Sequence, residues 1–439
     1  MTRWWWLVML AACGDNAFYD APKSGTRLRV EWFQAEDGSE VTTGNIYDRQ
    51  RQEFCTIQAW SDGATRCTRE AGYVGYLDAA CTQRLVVAGV QGEVAFDFDQ
   101  ATCAQASAWV AGDVLAGTQW YEKGDTGCMG PYTTDQPLRV AEKEIDPNAF
   151  ARLATSAPLG DGRIRTIDYT SADGFRLVKG YEDSELATPC YPGFEDCALL
   201  GEYEIDYTDA ACTQPIVGLH HDTCNPPATY AIVPDPACSN LQHYHRIGAI
   251  VGIRSAIFQR TGDTCTMTTP STDVEYRALG DEVEVAHLAV ASESAPGRRL
   301  QPMFFTGDGV AAPTGQLMDT QVGVPCTWQP ATDGATRCLP FSASWYTLYT
   351  DPSCTQGVPI ATWTSAACSD GAPQPQYAAE YFGAGNEIRP LLGRHAGTLY
   401  QRNGQTCAPT TIPGTDFFDV DPRTVDPRSF EMAERVLEP

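Results

Sequence analysis

The octapeptide YLDAACTQ at 76–83 returns as YTDAACTQ at 207–214 and as YTDPSCTQ at 349–356, with the aromatic residue, the acid, the cysteine and the glutamine in fixed places. A phrase of this length recurring at wide spacing means that one structural unit is written three times, which constrains the fold before any local signal does. The echo extends in both directions. DGATRC occurs at 62–67 and again at 333–338, and WYEKGDTGC (120–128), FQRTGDTC (258–265) and YQRNGQTC (400–407) are versions of one strand and turn. Upstream, TRLRVEWF (26–33), GRIRTIDY (162–169) and RRLQPMFF (298–305) match as a strand with alternating sides. IDPNAF (145–150) and VDPRSF (425–430) close the first and third copies, with a diverged EVEVAHL (282–288) in the second. The chain therefore divides into three tandem repeats of about 130 residues, near 26–155, 160–290 and 297–433.

Within each repeat the local signals are those of strands. Segments such as RLRVEWF, EVAFDF, TYAIV and WYTLY are rich in Val, Tyr, Phe and Trp and are cut by DG, GD or NG turns. About eight short strands per repeat are expected, enough for two four-stranded sheets. Helical periodicity is confined to AEKEIDPNAFARLA and RSFEMAERVLE, each expected to form one or two turns. The fold class is all-β. Two architectures fit: two blades per repeat closing a six-bladed β-propeller, or three separate β-sandwich-like domains. The short linkers near 155–160 and 290–297 favour the closed ring.

Comparing copies sorts the cysteines. Four positions recur in every repeat: Cys55, Cys67, Cys81 and Cys128; Cys190, Cys197, Cys212 and Cys265; Cys326, Cys338, Cys354 and Cys407. Three connectivities are open to each set, and pairing the first two across their hairpin is the simplest geometry. That leaves Cys81 with Cys128, Cys212 with Cys265 and Cys354 with Cys407, each closing a loop of about 50 residues and contributing roughly 4 kcal/mol by chain entropy. On this reading the repeated phrase is a strand end whose cysteine ties it to the last strand of its unit. Cys224 and Cys238 can bridge each other within the middle repeat. Cys103 and Cys368 lack partners in their own copies, so either they are buried thiols or they join the first copy to the third, as a closed ring would allow.

The first residues, MTRWWWLVMLAACGD, set one base, Arg3, before a short apolar run that ends in Leu10-Ala11-Ala12-Cys13. The run is too short to span a bilayer and reads as a signal peptide over 1–12. The order Leu-Ala-Ala-Cys resembles the lipobox of bacterial lipoproteins. That resemblance implies that Cys13 is acylated, becomes the first mature residue and anchors a tether (13–25) to the lipid bilayer of a bacterial cell envelope. With Cys13 set aside from the 17 cysteines, an even number remains, which suits disulfides in an oxidising, extracytoplasmic compartment. The body of the chain likewise resembles cysteine-rich tandem β-repeat lipoproteins of bacterial envelopes, a resemblance that implies no activity.

The formal charge is −26, from 56 acids against 30 bases, so nucleic acid is a poor partner. The sequence holds no HExxH, GxSxG, phosphate loop, GxGxxG, EF-hand spacing or CxxC pair. Four of the 6 histidines crowd into the middle repeat, His220 and His221 in GLHHD and His243 and His245 in LQHYHR. On a strand, His243 and His245 would share a face, a spacing that can hold a divalent metal with Asp222 or Asp235 nearby, although an HxH on an exposed strand more often stays solvated. No other cofactor is expected. Asp97/Asp99 and Asp419/Asp421 are acid pairs that could bind calcium, and Trp60, Trp328 and Tyr244 aromatics that could stack on sugars; a solvated turn and core packing are the competing roles. No catalytic residue is assigned. The expected function is a binding or adhesion module for a glycan or surface protein; a polysaccharide hydrolase with its site in the middle repeat and a structural spacer are the alternatives.

Overall fold

The computed structural model describes residues 21–438 apart from 70–71, 88–89, 100, 125–126, 194–195, 221–223, 225–226, 236–237, 239–240, 253–255, 262–263, 294–296, 341, 366–367, 369–373, 383–384, 405 and 413. The described residues form strands, turns and short 3₁₀ turns, without an α-helix. Each unit opens with a four-stranded antiparallel meander: Leu28–Ala35, Glu40–Asp48, Glu53–Ala59 and Thr65–Thr68 in the first, Ile164–Thr170 to Cys197–Leu199 in the second, and Leu300–Gly307 to Thr336–Pro340 in the third. A seven-stranded sheet follows in each unit. Five of its strands close into a small barrel. In the first unit Tyr73–Tyr76 pairs antiparallel with Arg84–Val87 and parallel, through Tyr73 and Phe96, with Val94–Asp99. In the third, Ala343–Tyr349 does the same with Gly357–Thr364 and Tyr377–Phe382, and in the second a Glu202–Ala231 bridge makes the closing contact. Closing the sheet removes most of its exposed edges.

The expected propeller is corrected by this arrangement: three meanders and three barrels replace six four-stranded blades, and each unit has more strands than the eight its turns suggested. Three separate domains are corrected as well, because sheets cross from unit to unit. Ala151–Thr155 pairs with Thr65–Thr68 of its own unit and then with Ile164–Thr170 of the next, in one ten-stranded sheet. Ala289–Ser292 pairs onward with Leu300–Gly307, and Ala433–Leu437 pairs with Leu28–Ala35. The chain of contacts thus returns to its start.

Hairpin turns interlock in the same cyclic sense. Asp37 accepts from the N–H groups of Arg299 (2.7 Å) and Leu300 (2.9 Å), and Asp173 from those of Arg27 (2.6 Å) and Leu28 (3.0 Å). The Asp308 carbonyl accepts from the Ile164 N–H at 3.4 Å, and a Cβ on Gly162 would stand 1.9 Å from that oxygen, so only glycine permits the approach. Each core is consequently shared: Phe175 packs with Leu28 and Ile46, Phe305 and Val310 with Ile164, and Ala35 with Leu300 and Leu317. Leu28, Ile164 and Leu300 hold one repeated position and are 0%, 1% and 0% exposed, and burying each contributes about 2–3 kcal/mol.

Beneath each junction lies a repeated ion pair. Arg27, Arg163 and Arg299 meet the buried carboxylates of Asp48, Asp183 and Asp319, and each guanidinium also donates to a carbonyl just ahead of the closing strand, on Ala149, Glu284 and Ser429. The expected helical turns shrink to 3₁₀ turns at Pro147–Ala149 and Pro427–Ser429, capped by Asp146 and Asp426. Beyond them Ala151 and Leu153 are buried while Arg152 and Ala154 are exposed, the alternation of a strand.

The repeated phrase is a turn inside the barrel. Asp209 accepts from the N–H groups of Thr213 (2.9 Å) and Gln214 (2.8 Å) and from the Thr213 hydroxyl, and Asp78 and Asp351 gather the same groups. This network holds Cys81, Cys212 and Cys354 in the left-handed region, at φ of 52°, 50° and 51°. Those cysteines bond Cys128, Cys265 and Cys407, each on an attached hairpin rather than on the last strand of the unit as expected. Cys55–Cys67, Cys190–Cys197 and Cys326–Cys338 staple the meander hairpins. The remaining four are corrected: Cys103 bonds Cys224 and Cys238 bonds Cys368, replacing both Cys224–Cys238 and Cys103–Cys368. Cysteines near in sequence point to different neighbouring units.

Candidate functional site

In the middle barrel, strand Gln242–Ile250 buries Tyr244, 4% exposed, in the core shared with the meander, while His243 and His245 on its other face are half-buried. His243 Nδ1 lies 2.7 Å from Glu282 Oε1, and its Nε2 lies 3.3 Å from Asp235 Oδ2. Across from it the meander turn carries Asp196, whose Oδ1 is 2.6 Å from His287 Nδ1. Between barrel and meander opens a cleft of about 440 Å³ lined by Asp196, Gln242, His243, Tyr244, Glu282 and His287 among others. The hydrogen bond to Glu282 is the main reason that the His243 pKa is raised, and the same contact lowers that of Glu282. Burial pushes the Tyr244 hydroxyl up to about 12, so it stays a neutral donor, here to Gln242 Oε1 at 3.0 Å. The cleft thus presents two carboxylate–imidazole pairs and a phenol, groups that can exchange hydrogen bonds or protons with a polar ligand.

Of the histidines singled out by sequence, the described His220, His243 and His245 do not converge as one ligand set. His243 and His245 do share a face, but His245 Nδ1 is 3.2 Å from the Gly280 carbonyl, and His220 Nε2 is 2.7 Å from Glu204 Oε2. His221 lies outside the described residues, as do Asp222 and Cys13. Among the described residues no three His, Cys, Asp or Glu side chains converge to hold a metal ion. The acid pairs separate as well: Asp97 meets Arg84 while Asp99 caps its own turn, and Asp419 meets His395 while Asp421 is clasped by Arg423. Trp60 is buried and Trp328 packs against Phe33, so both serve the core, while Tyr244 is buried and also lines the cleft. Among the described residues no helix is long and apolar enough to cross a membrane. The eight disulfides suit an oxidising extracytoplasmic compartment.

The model of a family of unknown function, DUF7481, matches residues 6–419. The chain belongs to this family. No curated protein matches it, and no solved structure does.

In this DUF7481 chain the sequence reading missed two groups. Tyr203, 57% exposed, stands at the edge of the middle barrel with its hydroxyl 3.5 Å from Gln242 Nε2. Asp206 is 1% exposed and its Oδ2 has no hydrogen-bond partner. Desolvation raises its pKa, Glu204 adds to the effect, and a hydrogen bond from Gln259 opposes it. Comparing copies would have found it. The residue before the phrase tyrosine is Gly75 in the first unit and Leu348 in the third, and only the middle copy places a carboxyl group there.

Proposed function

We propose that this chain is an envelope lipoprotein, anchored through an acylated Cys13, whose stapled three-unit body acts as a binding or adhesion module for a glycan or surface protein. The observation that carries the reading is the cleft of the middle unit, where the His243–Glu282 and His287–Asp196 pairs face one cavity. Such groups give directional contacts to hydroxyl, amide and amine ligands, and rigid elements from both barrel and meander hold them. Repetition supports the same reading, because a duplicated scaffold lets one copy diverge toward a ligand while the others keep the framework. The test is binding of the mature protein to isolated envelope polysaccharide and to intact cells, beside His243→Ala and His287→Ala. Weaker binding by either variant supports the cleft, and equal binding by both sinks it. Anchoring is tested by fatty-acid labelling, which Cys13→Ser must abolish.

A second reading, a polysaccharide hydrolase, has one specific observation in its favour. Asp206, held toward its protonated form by burial, lies two residues from Glu204 in the same unit, and a protonated carboxyl group with a second carboxyl group nearby is what general acid–base cleavage of a glycosidic bond uses. Its burial weighs against this role. Release of reducing ends that Asp206→Asn abolishes would favour the hydrolase over the binding module.

A further inference from the structure

The third barrel has an opening of different chemistry. Strands Ala343–Tyr349 and Gly357–Thr364 pair from Tyr349/Gly357 to Trp345/Ala361 and then part. The first turns to parallel pairing through Ala343 and Ser344 with Ala378 and Ala379, and the second continues antiparallel to Thr415. The gap they leave is a cavity of about 340 Å³, lined by Ser342, Ser344, Thr362, Thr364 and Thr415 with Ala343 and the half-buried Trp363. Its described lining carries no charge. Behind it the core is built of Ala343, Ala361 and Ala378, each at most 1% exposed, with Trp363 packed against them.

The hydroxyls are not a requirement of barrel closure. At the corresponding positions of the middle barrel, counted from the repeated phrase, Glu202 stands for Ser344 and His220 for Thr362. The same geometry therefore accepts unrelated side chains, and the third unit fills it with five hydroxyls and an indole.

We propose that this gap binds a neutral sugar ring of an oligosaccharide. Serine and threonine hydroxyls rotate to donate or accept, matching ring hydroxyls whose roles vary around the sugar. The half-buried Trp363 adds apolar surface beside the hydroxyls, which suits the C–H side of a pyranose. The volume falls in the range of small-ligand sites, and barrel mouths are a common place for them. The uncharged described lining and the formal charge of −26 select against acidic sugars. The site is independent of the middle-unit cleft.

Titration calorimetry of the full mature protein with chitotetraose, cellotetraose, maltotetraose and mannotetraose, and with tetragalacturonate as the acidic control, tests the assignment. The expected result is binding of at least one neutral tetrasaccharide, weakened about five-fold or more by Thr362→Val or Ser344→Ala at unchanged Tm and unaffected by His243→Ala. The proposal is overturned by binding of none of the four, by preference for tetragalacturonate, by indifference to both third-unit variants, or by loss in His243→Ala.

Discussion

The Asp37 carboxylate accepts a hydrogen bond from the backbone N–H of Arg299 at 2.7 Å, across 262 positions of sequence. A turn of the first unit thereby caps the opening strand of the third. Asp173 makes the equivalent contact from the second unit to the first. These two aspartates are the polar counterpart of the shared cores, and they make the order of the units around the assembly unambiguous.

Replacing Asp37 by Ala removes a charged acceptor from two backbone donors, an expected loss of about 1–2 kcal/mol in denaturant unfolding. Burial opposes ionisation of Asp37, yet the hydrogen bonds from Leu300, Ser39 and Arg299 outweigh it and lower its pKa. A carboxyl group whose folded pKa is depressed contributes stability above its unfolded value, near 4, and loses it as pH falls through the folded one. The difference between wild type and Asp37→Ala is therefore expected at neutral pH and shrinks on acidification below about pH 4.

Asp48, Asp183 and Asp319 are expected to be far more sensitive. Asp183→Ala leaves Arg163 beside an apolar core without its carboxylate, a change of about 3–5 kcal/mol for a buried pair, moderated because Arg163 is 17% exposed. Urea unfolding of the three variants should show similar losses, since the three sites share one geometry.

Non-reducing peptide mapping should return Cys103–Cys224 and Cys238–Cys368 as the two linkages between units. The double change Cys103→Ser/Cys224→Ser opens a loop with a sequence separation of 121, for which chain entropy sets an upper bound of about 5 kcal/mol. The measured loss should fall well below that bound, because continuous sheet pairing already holds the first two units together.

His243 gives a pH signature of opposite sense to that of Asp37. Its folded pKa is raised, chiefly by Glu282, so its contribution is complete below the ordinary histidine value near 6.5 and disappears as pH rises through the folded value. With 42% of the side chain exposed, solvent screens the pair and the effect is small, below about 1 kcal/mol. His243→Gln should lower Tm at pH 5.5 and leave it unchanged at pH 8.5, as followed by thermal denaturation.

Comparison among the copies made much of this legible. Recurring cysteines identified the hairpin staples, and β-rich segments between DG and NG turns identified an all-β chain. What the copies could not display is how units meet, because comparing them shows which positions recur and not that a position's partner lies in the next copy. Cys103 and Cys238 stand ahead of comparable barrel strands, yet their partners, Cys224 and Cys368, belong to the following unit. The end of AEKEIDPNAFARLA was misjudged for a related reason: its apolar residues match a helix face locally, but Ala151 and Leu153 are buried by a neighbouring strand. At the site, the histidine cluster suggested a metal, since a linear spacing does not reveal that carboxylates and a carbonyl already engage His220, His243 and His245.

The pairing of Ala433–Leu437 with Leu28–Ala35 also dictates when the molecule can finish folding. During synthesis, the edge of the first strand is displayed long before its partner exists, and contacts this distant in sequence form slowly. The interlocked body therefore cannot be completed until the last strand is free to pair with the first.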